Sequence, residues 1–119
     1  MSHPSAFIVE DDPQLNIVFT TALKQDFEVE SQQNGELALQ TLNQLTPDLI
    51  VLDMHLPGAS GKQILEYIRA QERLQKTRVI LTTADSLLAY SLYDQADLVV
   101  LKPVSPIQLR QSALKLFQP

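Results

Sequence analysis

Cysteine is absent from all 119 residues. That excludes a disulfide scaffold, a thiolate metal site and a cysteine nucleophile, and it accords with a reducing cytoplasm. Long apolar runs are missing too: none approaches the roughly 18 residues needed to span a bilayer. The opening Met-Ser-His-Pro lacks the basic and apolar segments of a secretory signal. A cytoplasmic chain without a membrane segment is expected. Positive charge is in the minority, with 9 basic against 14 acidic residues and a net charge of -5. Direct nucleic-acid binding is disfavoured, because neutralising phosphates requires a basic face. The densest basic group, Arg69, Arg73, Lys76 and Arg78, reads as solvated surface. No linker or low-complexity tract interrupts the chain, so one domain over residues 1–119 is expected.

Apolar residues make up 45% of the sequence, enough for a core that needs no structural metal. Short β-rich runs alternate with helical patterns. Strands are expected at 6–10, 27–31, 48–53, 78–83 and 97–101. Phe7-Ile8-Val9, Leu49-Ile50-Val51-Leu52 and Leu98-Val99-Val100-Leu101 are continuous apolar runs, the mark of strands covered on both faces in a parallel sheet. Leu15, Val18, Phe19, Ala22 and Leu23 form one helical stripe, opened by Asp12 as cap and Pro13 in the first turn. Further helices are expected at 35–45 (Ala38, Leu42 and Leu45 inward), 61–74 (Ile64, Leu65 and Ile68 inward) and 86–94. A last helix starts from the capping-box pattern at Ser105 and buries Leu109, Ala113, Leu116 and Phe117. Strict βα alternation gives a doubly wound α/β sandwich around a five-stranded parallel sheet.

In such a sheet ligands bind at the carboxyl ends of the strands. The first strand ends in Glu10-Asp11-Asp12, the third in Asp53, the fourth in Thr82-Thr83 and the fifth in Leu101-Lys102-Pro103. Carboxylates brought that close repel one another and are costly to bury unpaired. A hard divalent cation such as Mg²⁺ resolves the conflict, because it takes a few carboxylate ligands and welcomes phosphate oxygen. Asp12 has a second reading as a helix cap that needs no metal. Asp53 follows a buried strand, where an acid is costly without a partner.

Glu10-Asp11, Asp53 within Leu52-Asp53-Met54-His55-Leu56-Pro57-Gly58, Gly61, Thr83-Ala84 and Lys102-Pro103 resemble the signature set of response regulator receiver domains. The resemblance runs through the whole chain in order and spacing. It implies the flavodoxin-like (βα)5 fold and a phospho-accepting domain of a two-component phosphorelay, with Asp53 as acceptor. Asp11 would be a direct Mg²⁺ ligand, Glu10 its partner through water, and the backbone carbonyl of His55 would complete the metal site. Thr83 and Lys102 would each bind a phosphoryl oxygen, and Lys102–Pro103 would be cis. The implied partners are a sensor histidine kinase or phosphotransfer protein and an unidentified output protein or domain, with a homodimer compatible. The domain would promote its own phosphorylation and dephosphorylation rather than act as an enzyme on other substrates.

Departures from the family pattern bear on output. Val99 stands where the family usually carries Tyr or Phe, and a valine has no ring to swing. The interval from Thr83 to Val99 is short, which shortens the fourth helix; Tyr90 and Tyr93 read as residues packing it. His55 and Asp85 occupy the positions flanking the path of the hydrolytic water and are expected either to pair across the site or to remain solvated. A haloacid dehalogenase type of phosphohydrolase is disfavoured by Asp53-Met54-His55, which lacks the second acid. A flavodoxin-like cofactor binder is disfavoured by the acids after the first strand, which would repel a phosphate. The alternative that stays open is a degenerate receiver acting as a constitutive interaction scaffold.

Overall fold

The computed structural model describes residues 3–118. Strands β1 (Ser5–Val9), β2 (Glu28–Gln32), β3 (Leu49–Asp53), β4 (Arg78–Thr83) and β5 (Leu98–Leu101) form one parallel sheet in the order β2-β1-β3-β4-β5. Helices α1 (Pro13–Leu23), α2 (Gly35–Leu42), α3 (Gly61–Ala70), α4 (Ser86–Leu92) and α5 (Pro106–Leu116) connect and cover them. Successive strand residues face opposite sides, and the core splits accordingly. Phe7, Val9, Ile50, Leu52, Val79 and Leu81 pack with Ala38, Leu42, Ile64 and Ile68 of α2 and α3. Ala6, Ile8, Leu49, Val51, Ile80 and Val100 pack with Phe19, Leu23, Leu109 and Ala113 of α1 and α5. Among the described residues no helix is long and apolar enough to cross a membrane.

Several local expectations need correction. On α1 the buried stripe takes in Asn16, 5% exposed, while Val18 is 38% exposed. The β5 run is apolar but is not covered on both faces: this is an edge strand, and Leu101 is exposed. Helix α4 is short as expected, yet Tyr90 and Tyr93 do not pack it; both rings are exposed, with centroids 6.5 Å apart. Leu116 is only half-buried and Phe117 is exposed at its rim, meeting Phe27 edge-on at 5.6 Å. Ser105 caps α5 by accepting from the Gln108 N–H; the full reciprocal capping box is at Ser60–Gln63, opening α3.

The basic group is not simply solvated. Helix α2 ends at Leu42 rather than at residue 45, and the Arg73 guanidinium donates to the carbonyls of Leu42 and Leu45 and to the Tyr67 hydroxyl. Carbonyls orphaned at a helix end are satisfied from outside in this way. Asp97 lies 3.8 Å from Arg69 and 3.7 Å from Arg78, and it accepts the Val79 N–H at 2.7 Å. Arg73→Met is therefore expected to destabilise the chain by about 1 kcal/mol in urea unfolding, through carbonyls left without a donor. An unchanged midpoint would show that water replaces the guanidinium at no cost.

Candidate functional site

The strand register brings the carboxyl ends of β1, β3, β4 and β5 level. Asp53 pairs with Thr82, Thr83 with Leu101, and Val9 with Leu52. Glu10 follows β1 and extends its ladder, its N–H donating to the Gln32 carbonyl at 3.1 Å. Buried Asn16 secures that end of the sheet by donating from Nδ2 to the carbonyls of Glu10 (3.0 Å) and Gln32 (3.3 Å). Sequence reasoning missed this residue. Its signal was a polar side chain on the apolar stripe, three residues before Phe19 and seven before Leu23.

Asp12 turns away from the acids and caps α1, accepting the N–H groups of Gln14 (2.9 Å) and Leu15 (3.3 Å). Glu10, Asp11 and Asp53 each offer a carboxylate oxygen within 4.8 Å of the others. Asp11 is exposed, whereas Glu10 and Asp53 are 1% and 2% exposed. Lys102 reaches both buried acids, its Nζ lying 2.9 Å from Glu10 Oε1 and 3.4 Å from Asp53 Oδ2. Asp53 Oδ1 also accepts the His55 N–H at 3.1 Å. The Lys102 N–H donates to the Thr83 carbonyl at 2.8 Å, and Lys102–Pro103 is cis. Thr83 is fully buried; its Oγ1 accepts the Asp85 N–H at 3.0 Å and lies 3.2 Å from His55 Nε2.

His55 and Asp85 do not pair. The histidine ring goes to Thr83, and the Asp85 carboxylate caps α4 through the N–H groups of Leu87 and Leu88. The loop after Asp53 is held from two sides by glycines. A Cβ on Gly61 would come 2.5 Å from Met54 Cα and 2.6 Å from the Asp53 carbonyl oxygen, and one on Gly35 would overlap the Ala59 carbonyl.

Burial dominates the electrostatics. Glu10 is pushed up from 4.5 to about 7 by burial, assisted by the Asp53 charge, against the pull of Lys102 and the Asp12 N–H. Asp53 is likewise raised, first by burial and then by Asp11, against the His55 N–H and Lys102. Burial lowers Lys102, but its contacts with Glu10 and Asp53 outweigh that and leave it raised. Glu10 Oε1 is buried, and Lys102, 2.9 Å away, is its one partner among the described residues. Three clustered carboxylates that share one lysine as counter-ion suit a hard divalent cation.

A pH dependence follows. Glu10 binds its proton more tightly folded than unfolded, so its contribution to stability is full below about pH 4.5 and lost as pH rises through about 7. Metal-free protein is expected to unfold at a lower urea concentration at about pH 8 than at about pH 6, with Mg²⁺ removing most of the difference. Equal midpoints in metal-free buffer would contradict the burial argument.

The family model for the response regulator receiver domain matches residues 6–114. The chain belongs to that family. The transcriptional regulatory protein AfsQ1 of Streptomyces coelicolor is 36% identical over 105 residues, a match covering 85% of this chain and 45% of AfsQ1. This receiver spans about half the length of AfsQ1 and of the other transcriptional or DNA-binding regulators it matches. The chemotaxis response regulator CheY4 of Vibrio cholerae shares the fold at TM-score 0.89 and 19% identity, covering 98% of this chain and 100% of CheY4. DrrB, an OmpR/PhoB homologue of Thermotoga maritima, is similar in its BeF3-activated receiver domain. That match has TM-score 0.86 and 26% identity, and it covers 98% of this chain and 99% of the other. The protein is thus a receiver domain of the two-component response regulators, with the flavodoxin-like fold that the resemblance implied.

Proposed function

We propose that this receiver takes a phosphoryl group on Asp53 from a phosphohistidine of a sensor histidine kinase or phosphotransfer protein, or from a small acyl phosphate, and thereby switches the binding of an output partner. The observation that carries this reading is the buried Asp53 carboxylate, flanked by Glu10 and Asp11 and 3.4 Å from the Lys102 ammonium. One Asp53 oxygen attacks phosphorus in line. A new O–P bond forms as the bond to the leaving nitrogen or acyl oxygen breaks, and the leaving group departs with the electron pair. Lys102 neutralises one equatorial oxygen as a compact charge, and the Thr83 hydroxyl donates to another. Mg²⁺, held by Asp11, Asp53, the His55 carbonyl and, through water, Glu10, would neutralise the acids and bind a phosphoryl oxygen. An in-line water then cleaves the O–P bond of the aspartyl phosphate, returning the carboxylate and releasing inorganic phosphate.

Intact-mass spectrometry after incubation with acetyl phosphate tests the proposal, with and without Mg²⁺ and beside Asp53→Asn. One phosphoryl adduct that requires Mg²⁺ and disappears in the variant is the expected result. A folded chain that acquires no adduct overturns it in favour of a constitutive scaffold, the reading that Val99 favours by removing the usual aromatic switch.

A further inference from the structure

The Thr83 hydroxyl is already engaged. It is fully buried and accepts the Asp85 N–H, and its single proton needs an acceptor of its own. Among the described residues the other polar side-chain atom within hydrogen-bond distance is His55 Nε2, at 3.2 Å, which accepts the hydroxyl proton in the tautomer that carries its own proton on Nδ1. The same histidine donates its backbone N–H to Asp53 at 3.1 Å, so one residue touches both the carboxylate and the hydroxyl. Beyond Thr83 the contacts continue through Asp85, whose N–H bonds the hydroxyl and whose carboxylate holds the first N–H groups of α4, on Leu87 at 3.0 Å and Leu88 at 3.1 Å. Val99 packs half-buried against the core on this face, with no ring that could carry a movement of Thr83 elsewhere.

We propose that His55 is a positioning residue for Thr83: its ring holds the hydroxyl in the unphosphorylated chain and yields it to the phosphoryl group, and Asp85 passes that exchange to the start of α4. The inference rests on the phospho-accepting reading given above. A hydroxyl with one proton cannot donate to His55 and to a phosphoryl oxygen together, so the two compete. The resting bond opposes the activated state by the worth of one hydrogen bond, about five-fold in an equilibrium constant. His55→Phe keeps a ring and removes the acceptor. His55→Gln keeps a side-chain acceptor on a flexible stem.

The experiment measures beryllofluoride affinity in the presence of Mg²⁺, a stable phosphoryl mimic indifferent to water attack, and follows the amide resonances of Leu87 and Leu88. His55→Phe is expected to bind about five-fold more tightly than the parent chain. It should also shift both amides toward their bound positions before any ligand is added. His55→Gln should restore the parent behaviour, and in a Thr83→Ala background His55→Phe should have no further effect. Parent-like affinity in His55→Phe overturns the inference, as does an equal gain in the Thr83→Ala background. If the parent chain shows no Asp53-dependent binding at all, the phospho-accepting reading fails first and carries this one with it.

Discussion

Replacing Lys102 with methionine is expected to slow phosphoryl uptake at Asp53 by about a hundred-fold or more while tightening the binding of Mg²⁺. The opposite signs follow from where the ammonium sits. At 2.9 Å from Glu10 and 3.4 Å from Asp53 it is the counter-ion of both buried acids, and so a competitor of any metal that uses them. Methionine fills similar space and removes the charge. The acids then lose the partner that favours their ionised forms, and a divalent cation becomes the remaining source of compensation. In the transition state proposed above, the same loss would leave one equatorial oxygen without its cation, in a buried setting where a charge counts for more than in water. Lys102→Arg should rescue poorly, because a planar fork does not replace a compact charge. Single-turnover rates at saturating Mg²⁺, paired with calorimetric titration of the metal, separate the two effects. Unchanged uptake would remove Lys102 from the chemistry; weaker metal binding would show that it supports the acids rather than competing for them.

Gly35→Ala is expected to destabilise the chain by about 3 kcal/mol or more, although it adds a single methyl at a helix start. The added Cβ, fixed in place by the helix backbone, would overlap the Ala59 carbonyl, and no side-chain rotamer can give way. The contact is also fixed by a hydrogen bond, the Gly35 N–H donating to the Pro57 carbonyl at 2.9 Å. Relief requires moving the loop that follows Asp53, and with it the His55 N–H that the carboxylate accepts. Urea unfolding should show the loss beside Leu37→Ala, an exposed position of the same helix where a change within about 0.5 kcal/mol is expected. Comparable values for the two would mean that the loop shifts freely.

The architecture was legible because apolar runs separated by helical stripes leave little choice of fold. The acids, the threonine and the lysine were legible because each directly follows such a run, and the register then brings those strand ends level. What escaped was of a different kind. Asn16 is polar by type and buried by position, which periodicity alone reads as a break in the stripe rather than a stitch between strands. The destination of the His55 ring could not be read from spacing, because Thr83 and Asp85 lie within two residues of each other and only one is free: Asp85 is committed to capping α4. Arg73 looked like surface charge because its acceptors are main-chain carbonyls, which carry no side-chain signature. Tyr90 and Tyr93 were misread by the general habit of aromatics to pack, which a seven-residue helix beside an edge strand does not satisfy.

The groups of the site are strung along the chain at 10, 53, 83 and 102, while the strand that brings the last of them is the final one in sequence. Parallel pairing between distant segments is slow to form, since the intervening chain must close into a loop before the contacts repay it. During synthesis the acids emerge first and their counter-ion last. Until β5 docks, Glu10 and Asp53 lack the lysine that compensates them in the complete fold, so burying them early is disfavoured. Chemical competence is therefore expected to arrive late and all at once: a ribosome-bound chain halted before Leu98 should accept no phosphoryl group, and release of the full domain should switch it on. Under the phospho-accepting proposal, half-made receivers would then stay silent.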